Sequence, residues 1–288
     1  MLKLDIVCPI YNPGDALDNL LNEIADQENI EIGQVIFPIT CIDTENDKKT
    51  IAKIKNRGYS FFLTDKINFS HSLTRERAIR DFCENDVVII INQDIRLTDN
   101  NTLFKLASAV SPEIPYAYGR QICHGKGIED YTRKMHYPPQ NAVVSKEDLP
   151  KLGLMAFFSS DAFAAYYRPV FLELNGYDGK HMMMNEDMYF VYKVLMAGLS
   201  KAYVADAIVE HGHIYILKQL FERYREAGLW FKDNSQFAVY NTNGSGIQMA
   251  LFILKSCWKD KNWPVLCRFI PDMIARWLGI QIGKRCCK

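Results

Sequence analysis

Three short polar clusters in this chain carry residue types and spacings that can do chemistry. Asn92-Gln93-Asp94 follows five β-branched residues over 87–91, so an acid falls just past the carboxyl end of a buried strand, where ligands bind in open α/β sheets. There it can hold a hard divalent cation against a diphosphate, since carboxylate and phosphate oxygens together fill the coordination shell. The alternative is an Asp that only caps the next turn. Glu186-Asp187 opens a helical pattern over 188–197, where the helix dipole favours carboxylates. Plain capping is one reading and a general base facing a reaction centre is the other. Both can hold together, because adjacent helix residues point about 100 degrees apart. His211-Gly212-His213 ends a strand-like run over 202–210. Its two imidazoles can ligate a metal together with Asp94, or stand as polar edge residues.

The pattern around these clusters specifies what positions them. Strand-like runs at 4–10, 34–42, 59–63 and 87–91 alternate with helical periods at 16–26, 46–56 and from Ser70 or Ser72 to about 83. Asp15 can cap the first helix. Connections of that length demand right-handed crossovers and a mostly parallel sheet. Its carboxyl edge then gathers Asn12, from the turn Tyr11-Asn12-Pro13-Gly14, with Asp43, the 66–77 segment and Asp94. A nucleotide fits such an edge, yet GxGxxG and GxxxxGK[ST] are both absent. Phosphate charge must therefore be met by a metal and by Lys66, Arg75 or Arg77, each of which can also be an ordinary surface charge. Beyond 98 come a helix at 101–109, a Pro- and Gly-punctuated stretch at 111–152 that suits an acceptor wall or a lid, one or two strands at 157–167 and a short helix at 170–174.

Composition narrows the class. The chain has 288 residues, 48% hydrophobic and 24% charged, with zero formal net charge, which suits a globular α/β protein and argues against a nucleic-acid binder held by bulk electrostatics. Eight cysteines without a CxxC pair suit reduced thiols in the cytoplasm. Neither a signal peptide nor a membrane-spanning run is expected. Residues 247–288 hold eight Lys/Arg against two Asp/Glu, a charge of +6 that leaves −6 on residues 1–246. Trp258, Trp263, Phe269, Ile270, Ile274 and Trp277 interleave with those cations. The stripe suits either an interfacial helix over 255–288, making peripheral contact with anionic lipid at the inner face of the cell membrane, or a helical cap packed on the rest of the chain.

Taken in order, Val7-Cys8-Pro9-Ile10-Tyr11-Asn12, Asp43, Phe69-Ser70-His71-Ser72-Leu73-Thr74-Arg75, Gln93-Asp94, Asn185-Glu186-Asp187 and His211-Gly212-His213-Ile214-Tyr215 with Lys218-Gln219 resemble family 2 inverting glycosyltransferases of the GT-A fold. Within that group the chain is most similar to bacterial rhamnosyltransferases of cell-surface polysaccharide synthesis (O-antigen, capsule, rhamnan), over nearly its whole length. Ser72, Glu76 and Ile95 depart from the usual pattern at Gly, Asn and Ala.

The resemblance implies a Rossmann-like central sheet flanked by helices in a catalytic domain at 1–246, with a nucleotide-binding half at 1–98, an acceptor half at 99–246 and a C-terminal helical extension at 247–288. It implies displacement at the anomeric carbon of a nucleotide sugar, dTDP-L-rhamnose first and a UDP-hexose as alternative, onto a glycan or lipid-linked acceptor. Asp187 would be the base, with Glu186 beside it. Asp94, His213 and His211 would hold Mg2+ or Mn2+. Tyr11, Asn12, Asp43, Lys66, His71, Arg75 and Gln93 would complete the donor site with Asp94. A non-catalytic sugar-nucleotide-binding domain is the remaining alternative.

Overall fold

The computed structural model describes residues 1–14, 16–41, 44–125, 127–240 and 244–286. Asp43 and the expected cap Asp15 lie outside them. In chain order come β1 (Leu2–Val7), α1 (Ala16–Ala25), β2 (Ile30–Cys41), α2 (Glu45–Asn56), β3 (Ser60–Asp65), α3 (His71–Asp81) and β4 (Val87–Ile91). They are followed by β5 (Arg96–Leu97), α4 (Thr102–Ala107), β6 (Tyr116–Ile122), α5 (Ile128–His136), β7 (Ala142–Val144) and α6 (Leu149–Leu152). The remainder is β8 (Phe163–Tyr167), α7 (Arg168–Glu173), α8 (Glu186–Met196), β9 (Lys201–Glu210), α9 (Leu217–Asp233), α10 (Ser245–Lys259) and α11 (Trp263–Arg285).

Two compact units result, the first comprising residues 1–121, 139–146 and 159–211 and the second 122–138, 147–158 and 212–288. The 247–288 tail shares the second unit with residues 122–138, 147–158 and 212–246. In the first unit the sheet runs β3-β2-β1-β4-β8-β6-β9-β5, with β7 on β9. The expected parallel pairing holds from β3 to β4, where helical crossovers join the strands. Beyond β4 the pairs β4–β8, β6–β8, β5–β9 and β7–β9 are antiparallel. Local pattern does not encode that half, because β4 and β8 meet across more than seventy residues of chain. All five residues of β4 are buried, as its unbroken β-branched run requires.

Leu17, Leu20, Leu21 and Ile24 give α1 one apolar face, and all join the core that includes Leu4, Ile6, Phe37 and Ile89. Each such side chain contributes about 1.5–3 kcal/mol by leaving water. Gly119 on β6 is required by close approach, since a Cβ there would fall 2.7 Å from the Ala207 carbonyl oxygen and 2.3–2.5 Å from two carbons of the Phe163 ring. Asp5 is fully buried at the sheet's other end, where its carboxylate accepts from the backbone N–H groups of Gln34, Glu84 and Asn85 and from the Asn85 amide at 2.7–2.8 Å. A buried charge so satisfied fixes the strand ends rather than disrupting them.

The second unit is helical. Helices α9 and α11 cross at Gly228, Gly279 and Gly283; a Cβ on Gly283 would stand 2.9 Å from the Gly228 Cα. Small residues at such a crossing let backbones touch. Arg276 is buried and bonded to Asp272 at 2.6 Å, and to Glu129 and the Tyr224 hydroxyl, so α11 is tied to α5 and α9. Among the described residues no helix is long and apolar enough to cross a membrane.

Candidate active site

Ladder register brings the first and third clusters together. Arg96 pairs with Glu210 and Leu97 with Val209. His211 Nε2 lies 3.5 Å from Asp94 Oδ1. His213 follows two residues later in sequence and belongs to the second unit. His211 is buried, and Asp94 is open to solvent.

The other ring nitrogen of His211 is held from behind. Its Nδ1 lies 2.8 Å from Gln121 Oε1, while Gln121 Nε2 donates to Ser160 Oγ at 2.7 Å. In that amide orientation Oε1 accepts from Nδ1–H and holds the ring with Nε2 toward Asp94. A carboxylate and an imidazole nitrogen so placed can hold a divalent cation. Buried Gln121 had carried no expected role.

The Glu186-Asp187 pair enters α8 through Asn185, whose φ of 57° is left-handed, a conformation asparagine tolerates better than most residues. From this turn the two acids diverge. Glu186 is buried in an ion pair with Arg75, which also donates to Asn92 Oδ1 at 3.1 Å and lies 3.8 Å from Asp161. Asp187 is half-buried and accepts from Met188 N at 2.6 Å and Asp161 N at 3.1 Å. Burial first, and then the Asp161 charge, push its carboxyl from 3.8 to about 6, against a smaller lowering by Arg75. A carboxyl poised near neutrality is what a general base needs.

Asp161 is a buried hub that the sequence did not disclose. Its carboxylate accepts from Tyr166 at 2.6 Å, Tyr177 at 3.0 Å and Tyr116 at 3.3 Å, and the Tyr166 and Tyr177 hydroxyls lie 2.9 Å apart. Burial, together with the Asp161 charge, holds all three phenols well above their usual range. The available signal was a polar Ser159-Ser160-Asp161 set inside an aromatic stretch. Lys201 at the start of β9 is buried as well; desolvation drives its amine down to about 7 despite the nearby Asp187.

The expected donor residues fare unequally. Gln93 spends its amide on the Tyr11 backbone, accepting from N at 2.7 Å and donating to O at 2.9 Å, so it ties the β1 turn to the end of β4. Asn12 within that turn has a φ of 44°. The Lys66 ammonium sits 5.8 Å over the Tyr11 ring, and the His71 ring packs edge-on against Phe69 at 4.8 Å. The Arg75 guanidinium is buried against Glu186 and Asn92. Arg77 packs at 4.4 Å over Phe62 and lies 3.8 Å from Asp81.

Two departures from the family pattern serve the same turn. Ser70 caps α3 by accepting from Leu73 N at 3.3 Å, and Ser70 and Ser72 both accept from Met182 N at 2.9–3.2 Å. Glu76 accepts from Tyr177 N at 3.1 Å. All three fasten the segment that leads into Glu186-Asp187.

No family profile matches the chain. Among curated proteins it is 31% identical to the O-antigen chain rhamnosyltransferase RfbN of Salmonella typhimurium, over 98% of this chain and 90% of that one. It is 28% identical to the O-antigen chain rhamnosyltransferase WbaN of Salmonella anatum, over 99% and 90%. Among solved structures, the mannosyltransferase PcManGT of Pyrobaculum calidifontis, in complex with GDP-Man and Mn2+, superposes with a TM-score of 0.58 at 11% identity, over 98% of this chain and 85% of that one. S. aureus TarS 1–349 gives 0.54 at 14%, over 99% and 92%. At such identities the superpositions bear on the fold alone, which is that of the GT-A glycosyltransferases. The chain is therefore a glycosyltransferase of polysaccharide synthesis and belongs to the O-antigen rhamnosyltransferase family.

Proposed function

We propose that this enzyme moves L-rhamnose from dTDP-L-rhamnose onto a hydroxyl of a glycan or lipid-linked acceptor, with inversion at the anomeric carbon, at the inner face of the cell membrane. The observation that carries the chemistry is Asp187, a half-buried carboxyl near pKa 6 in the same unit as the Asp94–His211 pair. Asp187 takes the proton from the acceptor hydroxyl as that oxygen bonds to the anomeric carbon. The bond from that carbon to the phosphate oxygen breaks, and its electron pair leaves with the nucleoside diphosphate. Glu186 stays neutralised by Arg75 and holds the start of α8 in place.

Asp94 and His211 would hold the divalent cation, with His213 proposed as a further ligand on the family pattern, and imidazole ligands would favour Mn2+ over Mg2+. When bound, it supplies charge stabilisation for the departing diphosphate. Tyr11, Asn12, Lys66 and His71 remain the donor-side residues, and Asp43 is proposed there on the family pattern. On the acceptor side, a cavity of about 220 Å3 in the second unit, lined by Glu129, Asp130, His213 and Arg268 among others, offers charged partners for sugar hydroxyls.

Thermal-shift titration with dTDP-L-rhamnose, UDP-glucose and UDP-galactose, each with and without Mn2+, tests the donor. A ligand that binds the folded state raises the melting temperature. The proposal expects the largest rise with dTDP-L-rhamnose plus Mn2+, and a larger response to a UDP-hexose would replace the donor.

A further inference from the structure

In α10, Ile247, Leu251, Leu254 and Trp258 recur at i, i+4, i+7 and i+11, and all four are exposed. In α11, Trp263, Ile270, Ile274 and Trp277 recur at i, i+7, i+11 and i+14, and these too are exposed. Each stripe is one helical face. The faces meet at the corner between the helices, where Trp258 and Trp263 stand edge to face with ring centroids 5.5 Å apart. Their opposite sides are committed inward: Ile253, Cys257, Val265 and Phe269 form a buried cluster with Ile128 and Tyr131 of α5. The outer face is therefore not core-forming surface awaiting the rest of its own unit. An apolar patch of this kind marks an interaction site.

Charge selects the occupant. Lys255, Lys259 and Lys261 are exposed around the tryptophan corner. Asp260 beside them accepts from the Tyr131 hydroxyl at 3.2 Å. A second copy of the chain docked on this face through a two-fold axis would set lysines against lysines. An anionic bilayer would instead accept the tryptophans at the headgroup boundary and neutralise the cations.

We infer that the outer face of α10 and α11, from Ile247 to Ile282 and centred on Trp258 and Trp263, is a docking surface for anionic lipid. This rests on the membrane placement proposed above. It enlarges the 255–288 segment to both helices, lying flat on the lipid rather than crossing it.

Flotation of the full chain with phosphatidylcholine vesicles, and with vesicles containing one part phosphatidylglycerol to three of phosphatidylcholine, tests the surface. The protein should float with the anionic vesicles, with a blue-shifted tryptophan emission, and stay behind with the neutral ones. At about fivefold per neutralised cation, K255Q/K259Q/K261Q should lower partitioning roughly a hundredfold, and W258S/W263S/W277S should abolish it. Both variants replace exposed side chains outside the donor site, so an unchanged thermal response to dTDP with Mn2+ confirms that they fold. Flotation of both variants as well as the parent would overturn this surface while leaving the membrane placement standing. Failure of the parent to float with either vesicle would overturn both. Concentration-dependent dimers lost in the tryptophan variant, without flotation, would assign the face to a second copy instead.

Discussion

Replacing Asp187 by Asn should make the enzyme nearly inactive and more stable, and the two effects share one cause. Lifting the carboxyl from 3.8 to about 6 means that at neutral pH the folded protein holds a carboxylate where it is disfavoured. About two pKa units correspond to roughly 3 kcal/mol, or about 2–3 once partial exposure is allowed for. Asn removes that penalty but keeps a single acceptor oxygen, so one of the bonds from Met188 N and Asp161 N is lost, at about 1 kcal/mol. The net gain near pH 7.5 is therefore about 1–2 kcal/mol. Because the folded pKa is raised, the stability linked to this proton is fully present below about 3.8 and lost as pH rises through about 6. The variant's advantage in urea unfolding should thus grow between pH 4 and 7 and level off above, every other titrating group being common to both proteins. Transfer should fall by 10²–10⁴-fold without the base, and in the parent kcat/KM should rise through about pH 6 to a plateau. Parallel stability–pH curves, or more than a tenth of the activity surviving in Asp187→Asn, would refute the assignment.

Breaking the strut is a separate matter: Arg75→Met strands the buried Glu186 carboxylate and should cost about 3–5 kcal/mol in chemical denaturation, most of it recovered by adding Glu186→Gln; a cost under about 1 kcal/mol would mean the pair is not structural. Gln121→Leu should loosen the His211 ring and weaken Mn2+ binding by 10–100-fold in calorimetry. Nitrogen NMR of the metal-free protein should show Nδ1–H in the parent and a mixture in the variant, and an unchanged tautomer would dismiss Gln121 as its determinant. Gly283→Leu drives a side chain into the α9 backbone and should destabilise by about 1–3 kcal/mol or more, read as a lower midpoint in helical melting. An unchanged midpoint there would show that the crossing tolerates separation.

What the sequence determined by itself was everything local. The β-branched run of β4 and the period of α1 each encode their own element, the sequence narrows the α3 cap to Ser70 or Ser72, and the acids and histidines stand at element ends because polar clusters interrupt apolar runs there. The order of those clusters also carried the family, since order survives where individual residues vary. What only tertiary structure decided was which polar group faces which. Glu186 and Asp187 are neighbours of the same charge, and the difference between strut and base is made by Arg75 from α3 and Asp161 before β8, more than twenty-five residues from Asp187 in one case and over a hundred in the other. Gln121 orients His211 across ninety residues of chain. The antiparallel half of the sheet and the glycine crossing of α9 and α11 have the same origin. Such pairings are fixed by desolvation and hydrogen-bond satisfaction in the folded interior, where an unpartnered charge is expensive and a partner can come from anywhere in the chain.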